Sequence, residues 1–164
     1  MKAMSTRPST DQAVSAQDPW VCLLRGHAAV RRTVATQLQA AHGLTVNEYE
    51  ALLLLSRAGP KGMRRVDLAE SLQLTASGVT RLLEGLEGQG LVRKSLCQVD
   101  GRVTYAVLTN AGRTKLAKAS GSHVAAVRDV FEERYTSTEL ATLAELLARL
   151  PGSSAATRDG RAAR

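Results

Sequence analysis

Thr75-Ala-Ser-Gly-Val-Thr-Arg-Leu-Leu-Glu-Gly-Leu-Glu-Gly-Gln89 is the stretch that decides the fold. Val79, Leu82, Leu83 and Leu86 fall at i, i+3, i+4 and i+7, one stripe of a helix that turns about 100° per residue. The other side carries Ser77, Arg81, Glu84 and Gly88, with Thr80 on the flank. Amphipathicity marks only that one face is buried, so an ordinary solvated face is one reading of the polar side. The other is a helix that enters the major groove of DNA, where small, hydrogen-bonding or cationic side chains leave the approach open.

The flanking segments bear on that choice. Upstream, Val66-Asp-Leu-Ala-Glu-Ser-Leu72 spaces Val66, Ala69 and Leu72 for one buried face of a short helix. Gln73-Leu74 then leaves room for only a tight turn before Thr75, which stands where an N-cap belongs. Downstream, Gly90 stops the helix, Leu91-Val-Arg-Lys94 starts a strand and Val103-Thr-Tyr-Ala-Val-Leu108 returns it. Between the strands, Asp100-Gly101 is a turn signal that puts Arg102 at or near a hairpin tip. Helix, turn, helix and hairpin in that order predict a mainly α fold with a small β-hairpin wing, a winged helix-turn-helix. An arginine on such a tip is either simply solvated or drawn into a narrow minor groove by its negative potential.

Asp67-Leu-Ala-Glu-Ser-Leu, Ser77-Gly-Val-Thr-Arg-Leu-Leu, Leu86-Glu-Gly-Gln-Gly-Leu-Val, and Asp100-Gly-Arg102 leading to Val107-Leu-Thr-Asn-Ala-Gly112 follow one another along the chain. On these motifs the run from about Leu44 to Leu150 resembles the MarR family of bacterial winged-helix regulators. The resemblance implies a symmetric homodimer on a pseudo-palindromic operator, with the Ser77 to Arg81 segment in the major groove and Asp100 and Arg102 at the minor groove. It also implies a small effector, often an aromatic anion, lodged between the dimer helices and the reading head. Arg25, His27 and Arg31 on the first helix are the candidates to line that site, the alternative being a solvated or inter-subunit face. Two positions depart from the family pattern: Gly78 stands where relatives often have a side chain, and Gly101 where a second basic residue is common.

With 164 residues, 44% hydrophobic and only 3% aromatic, the chain has the length of one domain held together by aliphatic packing. A net charge of +7 and a pI near 10.0 favour a polyanionic partner. Lys61, Arg64, Arg65, Arg81, Arg93, Lys94 and Arg102 all fall in or beside the reading head, where they would neutralise phosphates. So few aromatics leave little for stacking on single-stranded bases, so duplex DNA is the expected partner. Ser77, Thr80 and Arg81 are the candidates for base or groove-edge contacts, Arg64, Arg65 and Lys94 for the backbone, and Arg102 for the minor groove. Asp100 is expected to orient the wing by accepting from arginine.

An enzyme is not expected. Gly85, Gly88 and Gly90 run in the wrong order and at the wrong end of a helix for a phosphate-binding loop, and there is no G-x-S-x-G, H-E-x-x-H or P-loop. His27, His42 and His123 show no metal-ligand spacing, and no cofactor is implied. Lacking a long apolar run or a signal-peptide core, the chain is expected in the cytoplasm and not at a membrane. Cys22 and Cys97 read as free thiols. Cys22 lies where peroxide-sensing relatives place a reactive cysteine, yet its apolar neighbours predict a buried, inert thiol. A redox regulator using Cys22 and a winged-helix module for protein interaction are the alternatives to an effector-released repressor.

The domain is expected over residues 17–151, between disordered tails at 1–16 and 152–164. Residues 61–109 would form the DNA-reading lobe, and 17–43 and 110–151 the dimerisation helices. Asp18-Pro19 opens a helix to about Ala41, and Thr45-Val-Asn-Glu48 is a capping box opening another to about Ser56. A long helix runs from Asn110 to about Tyr135. Thr136-Ser-Thr-Glu139 is a second capping box, opening a helix whose Leu140, Leu143, Leu146, Leu147 and Leu150 form an apolar stripe before Pro151.

Overall fold

The computed structural model describes Ser15, residues 17–96 and residues 104–151. Helix α1 (Gln17–His42) leads into α2 (Val46–Ala58), a 3-10 turn (Gly59–Lys61) and a two-residue strand β1 (Met63–Arg64). Then come α3 (Arg65–Ser71), α4 (Ala76–Gly88), the strands β2 (Val92–Leu96) and β3 (Thr104–Leu108), and the helices α5 (Asn110–Glu132) and α6 (Ser137–Leu147). The sheet is antiparallel in the order β1-β3-β2, with Lys94 opposite Ala106 and Met63 also paired to Ala106 from the other side.

Local chemistry sets most of these boundaries. Thr45 and Thr136 each close a full capping box with Glu48 and Glu139, and Thr75 caps α4 by accepting from Gly78 N at 3.1 Å. The turn between α3 and α4 holds Gln73 at φ 54° and closes with Leu74 N donating to Ala69 O at 2.9 Å. Two glycines mark places where backbones touch. A side chain on Gly62 would lie 2.1 Å from Ala106 O, and one on Gly112 2.1 Å from Leu91 O.

The core joins the faces of five helices to the sheet. Leu38, Leu44, Leu52, Leu55, Leu68 and Leu86 are fully enclosed, along with Val79, Leu83, Ala106, Leu108, Leu116 and Ala119 nearby. Each leucine so buried contributes about 1.5–3 kcal/mol relative to exposure. Tyr49 is the buried aromatic among the described residues, consistent with a core built on aliphatic packing.

Several expectations are corrected. Val66 is 65% exposed, because α3 begins at Arg65 and turns Leu68, Ala69 and Leu72 inward instead. Helix α1 starts at Gln17, with Ser15 Oγ accepting from Gln17 N and Asp18 working from inside the first turn, where it accepts from Ser15 N at 3.0 Å. Helix α5 ends at Glu132 and α6 at Leu147, each three residues short of the last residue expected. Strand β1 had no sequence signal. The supposed tails, apart from Ser15, and the segment 97–103, with Cys97, Asp100 and Arg102, lie outside the described residues.

Candidate nucleic-acid interface

Helix α4 presents the face its spacing predicts. Val79, Leu83 and Leu86 are buried, Leu82 is half-buried, and Ser77, Arg81, Glu84 and Gly88 face solvent. Gly78, one of the two departures from the family pattern, sits beside the cap: a Cβ there would lie 3.2 Å from Thr75 Oγ1, crowding the hydroxyl that starts the helix. Ser77 Oγ is 3.2 Å from the same hydroxyl.

The cations around this face have unequal environments. Arg64 donates Nε and Nη2 to Asp67 at 2.7 and 2.6 Å, which holds the Asp67 carboxyl below the usual range and raises the guanidinium further. Lys94 on β2 reaches Glu87 near the end of α4 at 3.0 Å. Arg65 is half-buried and donates from Nη2 to Thr80 Oγ1, and the Thr80 hydroxyl in turn donates to Ala76 O at 2.8 Å. Lys61, Arg81 and Arg93 are exposed and carry no ion pair among the described residues. The fold thus gathers Ser77, Thr80, Arg81, Arg64, Arg65 and Lys94 on one lobe and ties Arg65 to Thr80 directly. Of the partners, Asp67 was readable at i+3 from Arg64. Glu87 and Thr80 were not, since each meets its cation across a turn that only the folded chain sets.

The other candidates fare differently. Arg31 donates to Asn47 Oδ1 at 2.6 Å and lies 4.0 Å from Glu50, so it ties α1 to α2. Arg25 and His27 are exposed and make no polar contact with it among the described residues. Cys22 is exposed, against the expectation of a buried thiol. Its apolar neighbours do not enclose it because they are unburied themselves, Trp20 and Leu24 by 58% and 49%. No cluster of three metal-ligating side chains occurs among the described residues, and no described helix is long and apolar enough to cross a membrane.

A polar seam that sequence reasoning missed runs between α1, α2 and α5. His42 Nε2 lies 2.6 Å from Ser122 Oγ, Tyr49 donates to Ser120 Oγ at 3.3 Å, and the rings of Tyr49 and His123 are 4.4 Å apart. Burial lowers the His123 pKa, with Glu50 opposing, and its Nδ1 is enclosed without a hydrogen-bond partner. These residues are about 75 positions apart in sequence and share no motif.

The comparisons agree with the fold. A model of the MarR family matches residues 42–103. Among solved structures, the chain is similar to AbsC, a MarR family transcriptional regulator from Streptomyces coelicolor, at 32% identity and TM-score 0.72, covering 87% of this chain and 93% of that one. It is similar to Sco3205, a MarR family transcriptional regulator from the same organism solved in complex with DNA, at 27% identity and TM-score 0.73, covering 82% and 85%. CouR from Rhodococcus jostii RHA1, solved bound to p-coumaroyl-CoA, matches at 26% identity and TM-score 0.67, covering 84% and 93%.

Proposed function

This chain belongs to the MarR family of transcriptional regulators, and from that premise we propose that it is a dimeric, sequence-specific repressor of the duplex operator it binds, released by a small effector. One observation carries the reading. The solvent face of α4 offers Ser77 and an Arg81 with no ion pair among the described residues, from a capped, well-packed helix with further cations ranged around it. Such a helix fits the major groove, where arginine meets guanine and serine accepts several edges.

In this reading residues 61–109 are the DNA-reading lobe, while 17–43 and 110–151 pair with a second copy. Arg64 and Lys94 serve phosphates by exchanging exposed carboxylate partners, an exchange that costs little because solvent screens surface ion pairs. Asp100 and Arg102, which lie outside the described residues, are the proposed contacts at the minor groove. The DNA complex of Sco3205 supports the duplex partner, and the CouR complex supports a small effector. The chain works in the cytoplasm and catalyses nothing.

The deciding experiment is selection of bound duplexes from a genomic fragment pool. A recovered site with two-fold symmetry, whose affinity falls steeply between low and moderate salt, supports the reading. Recovery of no sequence over background would reject it.

A further inference from the structure

Given a chain that binds duplex DNA as proposed, we infer that Thr80 is not a hydrogen-bond donor to DNA but the mount that aims Arg65 at a backbone phosphate. A hydroxyl has one hydrogen and two lone pairs. The Thr80 hydrogen goes to Ala76 O at 2.8 Å, and one lone pair receives Nη2 of Arg65. Nothing remains on it to donate to a phosphate oxygen or to a base acceptor.

Arg65 is the complement of this arrangement. It uses one of its N–H groups on Thr80 and meets no carboxylate among the described residues, so its charge stays uncompensated. The neighbouring cations differ. Arg64 is engaged by Asp67 through two hydrogen bonds, Lys94 is engaged by Glu87, and Arg81 is exposed with nothing among the described residues to hold it. Of these four, Arg65 alone combines a held guanidinium with free charge.

Its place in the motif says what it meets. Arg65 opens α3, and the first helix of a helix-turn-helix crosses the sugar–phosphate backbone while the second enters the groove. The N–H groups left free on a planar guanidinium match a phosphate bidentately, as an ammonium does not. A side chain already half-buried and tethered loses less rotamer freedom on binding. Because the tether is to α4, the phosphate contact also fixes how α4 sits in the groove. Thr80 is therefore a positioning residue whose effect passes through Arg65.

The test is a double-mutant cycle of R65A and T80V, with T80S and R65K alongside, measured both as thermal unfolding of the free protein and as affinity for a selected duplex across a salt series. R65A is expected to weaken binding about tenfold or more and to reduce the salt slope by about one. R65K keeps the slope and loses affinity, since it keeps the charge without the fork. T80V weakens binding about fivefold, uniformly across base substitutions in the half-site, and adds nothing in the R65A background, while T80S matches wild type. Additive losses, a T80V loss confined to one base pair, or T80V binding like wild type would overturn the inference. Wild-type protein indifferent to every duplex overturns the DNA reading and the phosphate role together. The unfolding cycle needs no DNA, so a coupling seen there would show the mount intact and the functional reading alone at fault, while additivity there would remove the mount as well.

Discussion

Arg81 leaves the exposed face of α4 with no carboxylate among the described residues to neutralise it, so its guanidinium is available to a base edge at small desolvation cost. Arg81→Ala is expected to cost about 1–3 kcal/mol of operator affinity and to relax preference at one position in each half-site. Equal losses on cognate and scrambled duplexes in a competition assay would make it a phosphate anchor instead. Gly112 makes a different demand. A methyl group there would sit 2.1 Å from Leu91 O and 2.6 Å from Leu108 Cδ1, so backbone and side chain must both move. Gly112→Ala should destabilise by about 1–3 kcal/mol in urea unfolding, the usual range for forcing atoms into a packed site, although alanine is the better helix former. Unchanged stability would mean that α5 lifts off the start of β2 freely. The glycine itself was visible in the sequence, in Leu-Thr-Asn-Ala-Gly112, but its reason was not: the carbonyl it touches is 21 residues upstream.

At the scale of elements, legibility followed the range of the interaction that makes each one. Helices α2, α4 and α6 begin where Thr45, Thr75 and Thr136 said they would, because a cap and the donor it satisfies are three residues apart. Strand β1 escaped notice because two residues carry no alternation and become a strand only by pairing with β3, some 40 positions away. Val66 was misplaced because a seven-residue helix allows more than one phase of burial, and packing on α4 picks Leu68 and Ala69. The α6 cap also yields a pH dependence. The Thr136 N–H and hydroxyl both donate to Glu139, which holds that carboxyl below its ordinary value of 4.5. With the folded value depressed, the capping contribution is fully present above the ordinary value and is lost as pH falls through the folded one. Helical circular dichroism followed downward from pH 5 should show the loss, and Glu139→Gln should remove that pH dependence, whereas Thr136→Ala should only reduce it, because the backbone N–H that contributes most to the depression remains. A Glu139→Gln profile parallel to wild type would assign the acid sensitivity to other carboxylates.

At the scale of the molecule, the large exposed apolar side chains among the described residues belong, Val66 apart, to the terminal helices and their flanks. Trp20, Leu24, Val124, Tyr135, Leu146 and Leu150 are each 44% or more exposed, on α1, α5, α6 and the segments flanking α6. An apolar surface of this kind is seldom left to water, and a second copy is the proposed cover. Sedimentation at micromolar concentration should give a dimer, and deletion of residues 136–150 should give monomer or aggregate. A monomeric intact chain would remove the dimer from the proposal. The seam of His42, Tyr49, Ser120, Ser122 and His123 belongs to this scale too, since it forms only when α5 docks on α1 and α2. Of Arg25, His27 and Arg31, the candidates implied by the family resemblance, Arg31 bridges helices among the described residues.

The junction at Thr109 has a mechanical consequence. Its hydroxyl lies 2.7 and 3.0 Å from the carbonyl oxygens of Gly90 and Leu91, its own N–H donates to Leu91 O, and it accepts from Gly112 N. The end of α4 and the start of α5 are thereby riveted together with no slack between them. Helix α5 has 23 residues and so forms a lever about 35 Å long. A tilt of about 5° at its far end displaces the riveted end by about 3 Å, against a half-site spacing of about 34 Å. In the proposed two-fold assembly, a tilt of both levers would open or close the calliper they make by twice that amount, enough to put one reading helix out of step with the groove while the other is seated.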